Sequence, residues 1–543
     1  MDYLAKAAAE VASPPQSKPL NERQVPNSAG GYSFAVDDWK RLDRFLILGS
    51  SSGSYYASEQ KLTVENIEAV KRCVAADGLR AVARIVEISD AGRAPKNDPA
   101  LLALAYAAAK GDDKTRSAAL LALPDVARIG THLFHFVTYV RNFRGWGRGL
   151  RRAIENWYTM KTPEQVADQV TKYQQRDGWS HRDLMRLDHI KFTGPYQAIA
   201  KWVVKGEVSE GIAKRIEGHV KLQATKNAKE AATLIREYGL VRESVPTELL
   251  TEADVWEALL EKMPMTAMIR NLGNMSKVGL LKPLSDAAKA INERLGNTEA
   301  IRKARVHPIQ ILIAAKTYEA GHGLRGSGEW TPVAKVVDAL DGAFYLAFQN
   351  VEPTGQRFYL GLDISGSMWS GEVAGIPDFT PAIASGAMAM VTVKSEENCY
   401  AAGFTCTSSG RYGGRFDDGR TAMTPIVLSP KQRLDDVLRS MKELAKRMGG
   451  TDCALPMLDA LEKKLTVDTF VIYTDSETWH GNIHPTKAIE MYRQKMSIPA
   501  KLVVCGMVSN SFTIADPNDA GMLDVCGFDT ATPQVISQFA AEL

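Results

Sequence analysis

The run Asp363-Ile364-Ser365-Gly366-Ser367 sets a carboxylate and two hydroxyls at i, i+2 and i+4, with a glycine that allows a tight turn. Oxygens so spaced can converge on one hard cation, and Mg²⁺ prefers octahedral oxygen coordination while keeping several waters. Alone, such a run is a common serine-rich turn. Two further stretches supply matching groups: Gly449-Gly450-Thr451-Asp452, which opens a helix and presents a hydroxyl, and Val471-Ile472-Tyr473-Thr474-Asp475-Ser476, a strand ending in an aspartate. A second chemistry lies between Arg141 and Lys191, where eleven Lys/Arg stand against six Asp/Glu. Arg141, Arg144, Arg148, Arg151 and Arg152 come with no acidic residue before Glu155. On a helix the 144–148–151–152 spacing gathers these guanidinium groups on one face, and their forks of N–H donors suit phosphate oxygens. Phe143, Trp146, Trp157, Tyr158 and Trp179 interleave with them; exposed rings stack on bases for about 1–3 kcal/mol each. Lys172, Arg176, His181, Arg182, Arg186 and His189 continue the pattern around Gly178-Trp179-Ser180. A basic helix face is as often merely solvated, and tryptophan is usually core. Charge alone therefore leaves polyanion binding and simple solvation level.

These groups need elements to hold them. Residues 1–30 are rich in Ser, Pro, Asn and Ala and end at Gly30-Gly31, which predicts a flexible N-terminal arm. From Val64 to Phe348 the apolar pattern is helical nearly throughout, as in Leu101, Leu102, Leu104, Ala105 and Ala108. Further helices are predicted over 163–175, 252–262, 285–295, 308–320 and 331–349, with starts such as Thr162-Pro163-Glu164. So many short helices without a convincing strand predict stacked helix pairs, an α-solenoid of HEAT or armadillo type. After Val351 the pattern changes. Strands at 357–362, 399–404, 469–474 and 501–507 alternate with helices at 381–394, 431–447, 452–464, 486–495 and 533–541. That is a doubly wound, mostly parallel sheet, whose ligands sit beyond the carboxyl ends of the strands. Asp363, Thr451 and Asp475 all fall at that edge.

The chain has 543 residues, too many for one core. Its 66 Lys+Arg and 63 Asp+Glu nearly balance, but residues 351–543 hold 17 basic and 23 acidic side chains, leaving 49 and 40 in residues 1–350. One part is thus suited to a polyanion and the other to a cation. The six cysteines form no C-x-x-C pair, no apolar run approaches the ~20 residues of a membrane span, and no signal peptide is read. A cytoplasmic protein with reduced thiols and no membrane partner is expected. No G-x-x-x-x-G-K-[ST] loop occurs. His480 and His484 lie in a loop-like stretch that disfavours a zinc pair. His132 and His135 sit in an apolar stretch and read as core or groove residues. The Arg/Gly-rich loop 408–415 is more simply a solvated loop than an RNA contact.

The three pieces around Asp363, Thr451 and Asp475 together resemble the metal-ion-dependent adhesion site of von Willebrand factor A (vWA) domains. Gly147-Arg148-Gly149-Leu150-Arg151-Arg152 through Trp157-Tyr158, followed by Lys172-Tyr173-Gln174-Gln175-Arg176-Asp177-Gly178-Trp179-Ser180-His181-Arg182-Asp183-Leu184, resembles the TROVE module of Ro ribonucleoproteins. From about Gly31 the chain is similar to a bacterial member of that family. The implied domains are residues 1–30 as the arm, 31–352 as the TROVE helical repeats and 353–543 as the vWA domain. The implied metal ligands are Ser365 and Ser367 directly, Thr451 through its hydroxyl, and Asp363 and Asp475 directly or through water. The ion would be Mg²⁺, with Mn²⁺ or Ca²⁺ as alternatives, and the incomplete ligand set leaves room for a partner's carboxylate.

The resemblance also implies a ring of helical repeats that binds Y RNA on its outer basic surface. Single-stranded 3′ ends of misfolded or defective noncoding RNAs would enter a central hole, in the service of RNA quality control, maturation or decay under stress. A 3′–5′ exoribonuclease would be a partner, and the protein itself a monomer and not an enzyme. His181 is the expected direct Y RNA contact. Asp177, Asp183 and Asp188 dilute the basic segment and predict a modest duplex-binding face. Two rival readings stand beside this one: a metal-dependent protein-interaction scaffold without RNA function, and a metal-dependent nuclease using Asp363 and Asp475. Hydrolysis wants several clustered carboxylates and an activated water, whereas hydroxyls dominate here.

Overall fold

In a computed structural model the chain is described at residues 13–49, 59–188, 190, 192–323, 328–348, 351–373, 378–405, 423–426, 428–445, 450–529 and 531–541. His189, Lys191, Cys406, Gly449 and the loop 408–415 lie outside the described residues. The chain begins with β1 (Gln24–Pro26), β2 (Tyr32–Ala35) and α1 (Asp38–Leu48). A long helical run follows. Its elements of interest are α2 (Gly78–Asp90), α3 (Asp98–Lys110), α4 (Gly130–Phe143), α5 (Arg148–Thr159) and α6 (Pro163–Lys172). A hairpin of β3 (Gln175–Arg176) and β4 (Trp179–Ser180) then leads into α7 (His181–Asp188). The run continues through α8 (Thr298–Ala304) to α9 (Ala334–Leu346). Beyond it, β5 (Arg357–Asp363), α10 (Pro381–Ser395), β6 (Asn398–Phe404), β7 (Met423–Pro425), α11 (Leu434–Ala445) and α12 (Leu455–Glu462) alternate. The chain then passes through β8 (Thr469–Thr474), α13 (Pro485–Met496), β9 (Lys501–Gly506), β10 (Phe512–Thr513), β11 (Met522–Cys526) and α14 (Thr532–Ala541).

Two compact units divide these elements: Val74–Gly92 with Lys96–Ala347, and Met1–Cys73 with Arg93–Pro95 and Phe348–Leu543. In the helical unit the expected start at Thr162 is realised. At α6 the Thr162 hydroxyl accepts the Gln165 N–H at 3.3 Å while the Gln165 side chain accepts the Thr162 N–H at 2.9 Å, with Pro163 in the first turn. The β3–β4 hairpin corrects the expectation of a strandless run. Across the unit, the Arg305 guanidinium donates to the Asp90 carbonyl at 2.7 Å and to its carboxylate at 2.9 Å, joining the turn after α8 to the end of α2. The pair links positions 215 residues apart within the helical unit. An exposed pair of this kind adds about 0–1 kcal/mol, so it marks the junction more than it holds it.

The other unit is built on a six-stranded sheet of order β11-β9-β8-β5-β6-β7, parallel except at β7. β8 reads Thr-Phe-Val-Ile-Tyr-Thr and is buried throughout, as a central parallel strand covered on both faces must be. β11 escaped the sequence pattern because Asp524 interrupts its apolar run. Its carboxylate is buried against Arg44 of α1, whose guanidinium donates to both oxygens at 2.8 Å.

The expected flexible arm is corrected at residues 13–30, and the expected boundary at 31 moves with it. β1 and β2 form an antiparallel sheet with β10, and Gln16 is buried. The Gln16 amide donates to Asp452 and to the Ile483 carbonyl, each at 2.7 Å, and Asn27 donates to the Thr478 carbonyl at 2.7 Å. A β-carbon on Gly31 would lie 1.9 Å from that carbonyl oxygen, so only glycine lets this strap lie down. Its polar composition is used in hydrogen bonds to partners more than 400 residues away, which no local pattern reveals.

Candidate functional site

α5 buries Leu150, Ala153, Ile154, Trp157 and Tyr158, which leaves Arg148, Arg151 and Arg152 in water. Arg141 on the last turn of α4 and Arg144 beyond it are exposed as well. Among the described residues none of these five forms an ion pair with a carboxylate. The first turn of α5 holds no acidic residue, and Gly147 supplies no capping side chain. Positive helix end and guanidinium groups therefore add, an arrangement that destabilises the helix until an anion answers it. One expectation fails here. Arg144 has an extended backbone, φ −156° and ψ 149°, so it is not one helical turn before Arg148. Arg148, Arg151 and Arg152 share a face, and Arg144 lies exposed in the link between helices.

The β3–β4 hairpin adds a second row. Its turn is Asp177-Gly178, with φ of 52° and 77°, the Asp-Gly pair that a two-residue hairpin demands. It was legible as that dipeptide between Arg176 and Trp179. Arg176 on the hairpin and Arg182 and Arg186 on α7 are exposed, and Lys172 is partly so, its ammonium 5.2 Å from the Tyr173 ring centre. Two of the three acidic residues expected to weaken this face have partners of their own, although Asp177 also lies 3.9 Å from the Arg176 guanidinium on it. Asp183 accepts from the Ser180 N–H at 2.9 Å and hydroxyl at 2.6 Å. Asp177 lies 3.3 Å from His135 Nε2, while His135 Nδ1 is 2.7 Å from Asp98. His135 thereby ties the hairpin to α3. Its pKa is raised, first by the bond to Asp98, whereas burial lowers neighbouring His132 to about 4.

His181 does not take the expected role. It is 2% exposed, its Nδ1 is 2.7 Å from the Tyr158 hydroxyl, and its ring packs 4.8 Å from that of Phe134. Burial pulls its pKa down to about 3, so it is a neutral core residue that seats α7 on α5 and not an RNA contact. The aromatic series is corrected likewise: Trp157 and Tyr158 are fully buried and Trp179 is 8% exposed, so Phe143 and Trp146 alone keep appreciable ring surface in water.

The second site lies at the carboxyl edge of the parallel sheet, where Asp363, Ser365, Ser367, Thr451 and Asp475 are all buried. The Ser365 N–H donates to Asp363 at 2.9 Å and the Thr474 hydroxyl to its other oxygen at 2.7 Å. The Ser365 and Ser367 hydroxyls are 3.1 Å apart, and Asp475 accepts the Glu477 N–H at 3.0 Å. Burial, then the neighbouring Asp475, pushes Asp363 up to about 7; burial raises Asp475 too. Thr451 Oγ1 is buried with no hydrogen-bond partner among the described residues. A cation would satisfy that oxygen and the paired carboxylates together, so the residues present fit one. Among the described residues no three His, Cys, Asp or Glu side chains are grouped to hold a metal, so the hydroxyls are indispensable to any ion here.

Sequence reasoning missed what supports this site. The Arg44 guanidinium also donates to the Asn510 side chain at 2.8 Å, and the Asn510 amide donates to the Asp475 carbonyl, so α1 fixes the end of β8. Glu477, pushed up to about 8 by burial and then by Asp475, accepts the Ala29 N–H of the strap at 3.0 Å. His484 is bonded to the Lys18 carbonyl at 3.0 Å and is no zinc ligand.

The model described as the TROVE domain matches residues 25–237 and 236–318, and the Ro60 vWA domain matches residues 357–540. The chain is 41% identical over 532 residues to RNA-binding protein RO60 of Deinococcus radiodurans, with 97% of each chain covered. It belongs to the Ro60 family. The Caenorhabditis elegans RNA-binding protein RO60 is 34% identical over 608 residues, covering 97% of this chain and 91% of that one. The crystal structure of the Deinococcus radiodurans RO (RSR) protein matches with a TM-score of 0.69 and 40% identity over 93% of this chain and 99% of that one. The TROVE match begins at residue 25, inside the segment that folds here with the vWA unit. In this Ro60-family chain, then, family module and compact unit do not share a boundary.

Two outcomes are expected. His135 has a folded pKa above its ordinary 6.5, so its contribution is complete below that value and is lost as pH climbs through the raised one. The melting temperature of His135→Gln should fall short of wild type at pH 6 by a margin that closes toward pH 9; a margin that does not change with pH contradicts the latch. Arg44→Ala leaves Asp524 buried and unpaired, which should lower urea-unfolding stability by about 3–5 kcal/mol. The double variant Arg44→Met/Asp524→Leu should recover most of it. A loss below about 1 kcal/mol for the single variant, the level of an exposed pair, contradicts this account.

Proposed function

We propose that this Ro60-family protein is an RNA clamp and sorter: it holds Y RNA on the arginine face of α5, the hairpin and α7, and takes single-stranded 3′ ends of misfolded noncoding RNAs into a central opening of the helical unit. The observation that carries the reading is the set of exposed guanidinium groups around an uncapped helix start, none of them ion-paired with a carboxylate among the described residues. Phosphates answer that field, and the name RNA-binding protein RO60 on both relatives supports RNA as their source. The contact of Arg305 with Asp90, 215 residues earlier, folds the helical run back on itself and supports the opening. A narrow aperture admits a frayed strand and refuses a stable duplex, so sorting is steric and no bond is broken. The protein is a monomeric binder that presents RNA to a 3′–5′ exoribonuclease during stress. We place it in the cytoplasm, whose reducing poise suits the free thiols Cys73, Cys399, Cys453, Cys505 and Cys526.

At the sheet edge Ser365, Ser367 and Thr451 with Asp363 and Asp475 would hold Mg²⁺, which supplies an open coordination position for a partner's carboxylate. Hydroxyl donors outnumber carboxylates there, which suits docking better than hydrolysis.

The salt dependence of binding tests the clamp. For a stem-loop RNA with a free 3′ tail, the triple variant Arg148→Ala/Arg151→Ala/Arg152→Ala should bind more weakly, with a log-log salt slope shallower by about 0.9 for each phosphate that is no longer neutralised. An unchanged slope contradicts it. For the metal, Mg²⁺ should raise the wild-type melting temperature, by about 2.7 kcal/mol of stabilisation at a hundredfold excess over Kd. Asp475→Asn should melt no lower than wild type in EDTA, because a buried like-charge pair is relieved, and should lose the Mg²⁺ response. A wild type indifferent to Mg²⁺ contradicts the site.

A further inference from the structure

We propose that Trp146 is a docking platform for one unpaired RNA base, on which a bulged, looped or terminal nucleobase stacks while the neighbouring arginines hold the flanking phosphates. The inference rests on reading the arginine face as the RNA interface and names what that face selects. Trp146 stacks on Trp179, ring centres 5.7 Å apart and planes 18° from parallel. Trp179 is buried in the hairpin with the Arg141 guanidinium 5.1 Å from its ring centre, whereas Trp146 is partly exposed. The stack thus has a fixed inner ring and an outer ring that meets solvent.

The two residues flanking Trp146 are glycines without a packing reason. A β-carbon on Gly145 or Gly147 would meet nothing within 4 Å, and neither glycine has a positive φ. Side chains would be tolerated at both positions, so neither turn geometry nor crowding accounts for the pair. What two glycines contribute is freedom for the indole between them to adjust its plane. Arg144 and Arg148 lie two residues to either side of it, Arg141 covers the Trp179 ring beneath it, and Arg151 and Arg152 follow on the next turn of α5, all exposed and without an ion-paired carboxylate among the described residues. An aromatic plane amid guanidinium groups matches a base with its adjoining phosphates. A base inside a perfect duplex has both faces covered by its neighbours, so the platform suits an unpaired base. Recognition by stacking is tolerant of sequence, because every base has a π-face.

The test compares two stem-loop RNAs, one fully paired in its stem and one with a single bulged 2-aminopurine, on wild type and on Trp146→Ala, Trp146→Phe and the triple variant Arg148→Ala/Arg151→Ala/Arg152→Ala. Wild type should prefer the bulged RNA and quench its 2-aminopurine fluorescence. Trp146→Ala should cut that preference about tenfold and abolish the quenching, while Trp146→Phe, which keeps a π-face, should retain most of both. If Trp146→Ala keeps the preference and the quenching while the triple arginine variant weakens both RNAs, the inference is overturned and the RNA interface stands. If the triple arginine variant binds both RNAs as wild type does, the interface reading fails and this inference with it.

Discussion

Positive charge held at the positive end of a helix, with no carboxylate ion-paired to it among the described residues, is the constraint from which the rest of the helical unit follows. Arg148, Arg151 and Arg152 can remain there because the opposite face of α5 is anchored by Trp157, Tyr158 and Ile154, all fully buried. His181 bonds to Tyr158 from beneath, and Trp157 donates to the Ala127 carbonyl. The residues that most resembled RNA contacts by type are thus the ones that hold the arginines in place. Two of the acidic residues between them are engaged in the same way: Asp183 at the start of α7, and Asp177 at His135 and Arg176.

The vWA unit carries the opposite problem. Two carboxylates are buried side by side at the sheet edge, and burial favours their protonated forms. Their placement is enforced from two directions. Arg44, neutralised by Asp524, reaches Asp475 through Asn510, and the strap of residues 13–35 bonds to the loop that follows β8. A cation would answer such a pair directly, since it would bring the hydroxyls of Ser365, Ser367 and Thr451 into use at once.

Much of this was legible in the sequence. The β8 run, the Asp363–Ser367 turn and the helical periodicity of the middle of the chain are local signals, and local signals carry over into structure. What failed was non-local. β11 hides because Asp524 looks wrong for a strand until Arg44 arrives from about 480 residues away. The strap looks like an arm because its partners are loops near residue 480. His181 looks like an RNA contact because its type says nothing of burial. Arg144 looks helical because a spacing of four is read as a turn even across Gly145 and Gly147. Charge was read correctly as a sum and incorrectly as a geometry.

The most direct test of the central claim, that the arginine face is where RNA lies, is photo-crosslinking of the full chain to a stem-loop RNA with a single-stranded 3′ tail, followed by mass-spectrometric mapping of the modified peptides. The account predicts that stem crosslinks concentrate between Arg141 and Arg186, with none at His181. Stem crosslinks confined to residues 357–540, or scattered without enrichment in that segment, would contradict it.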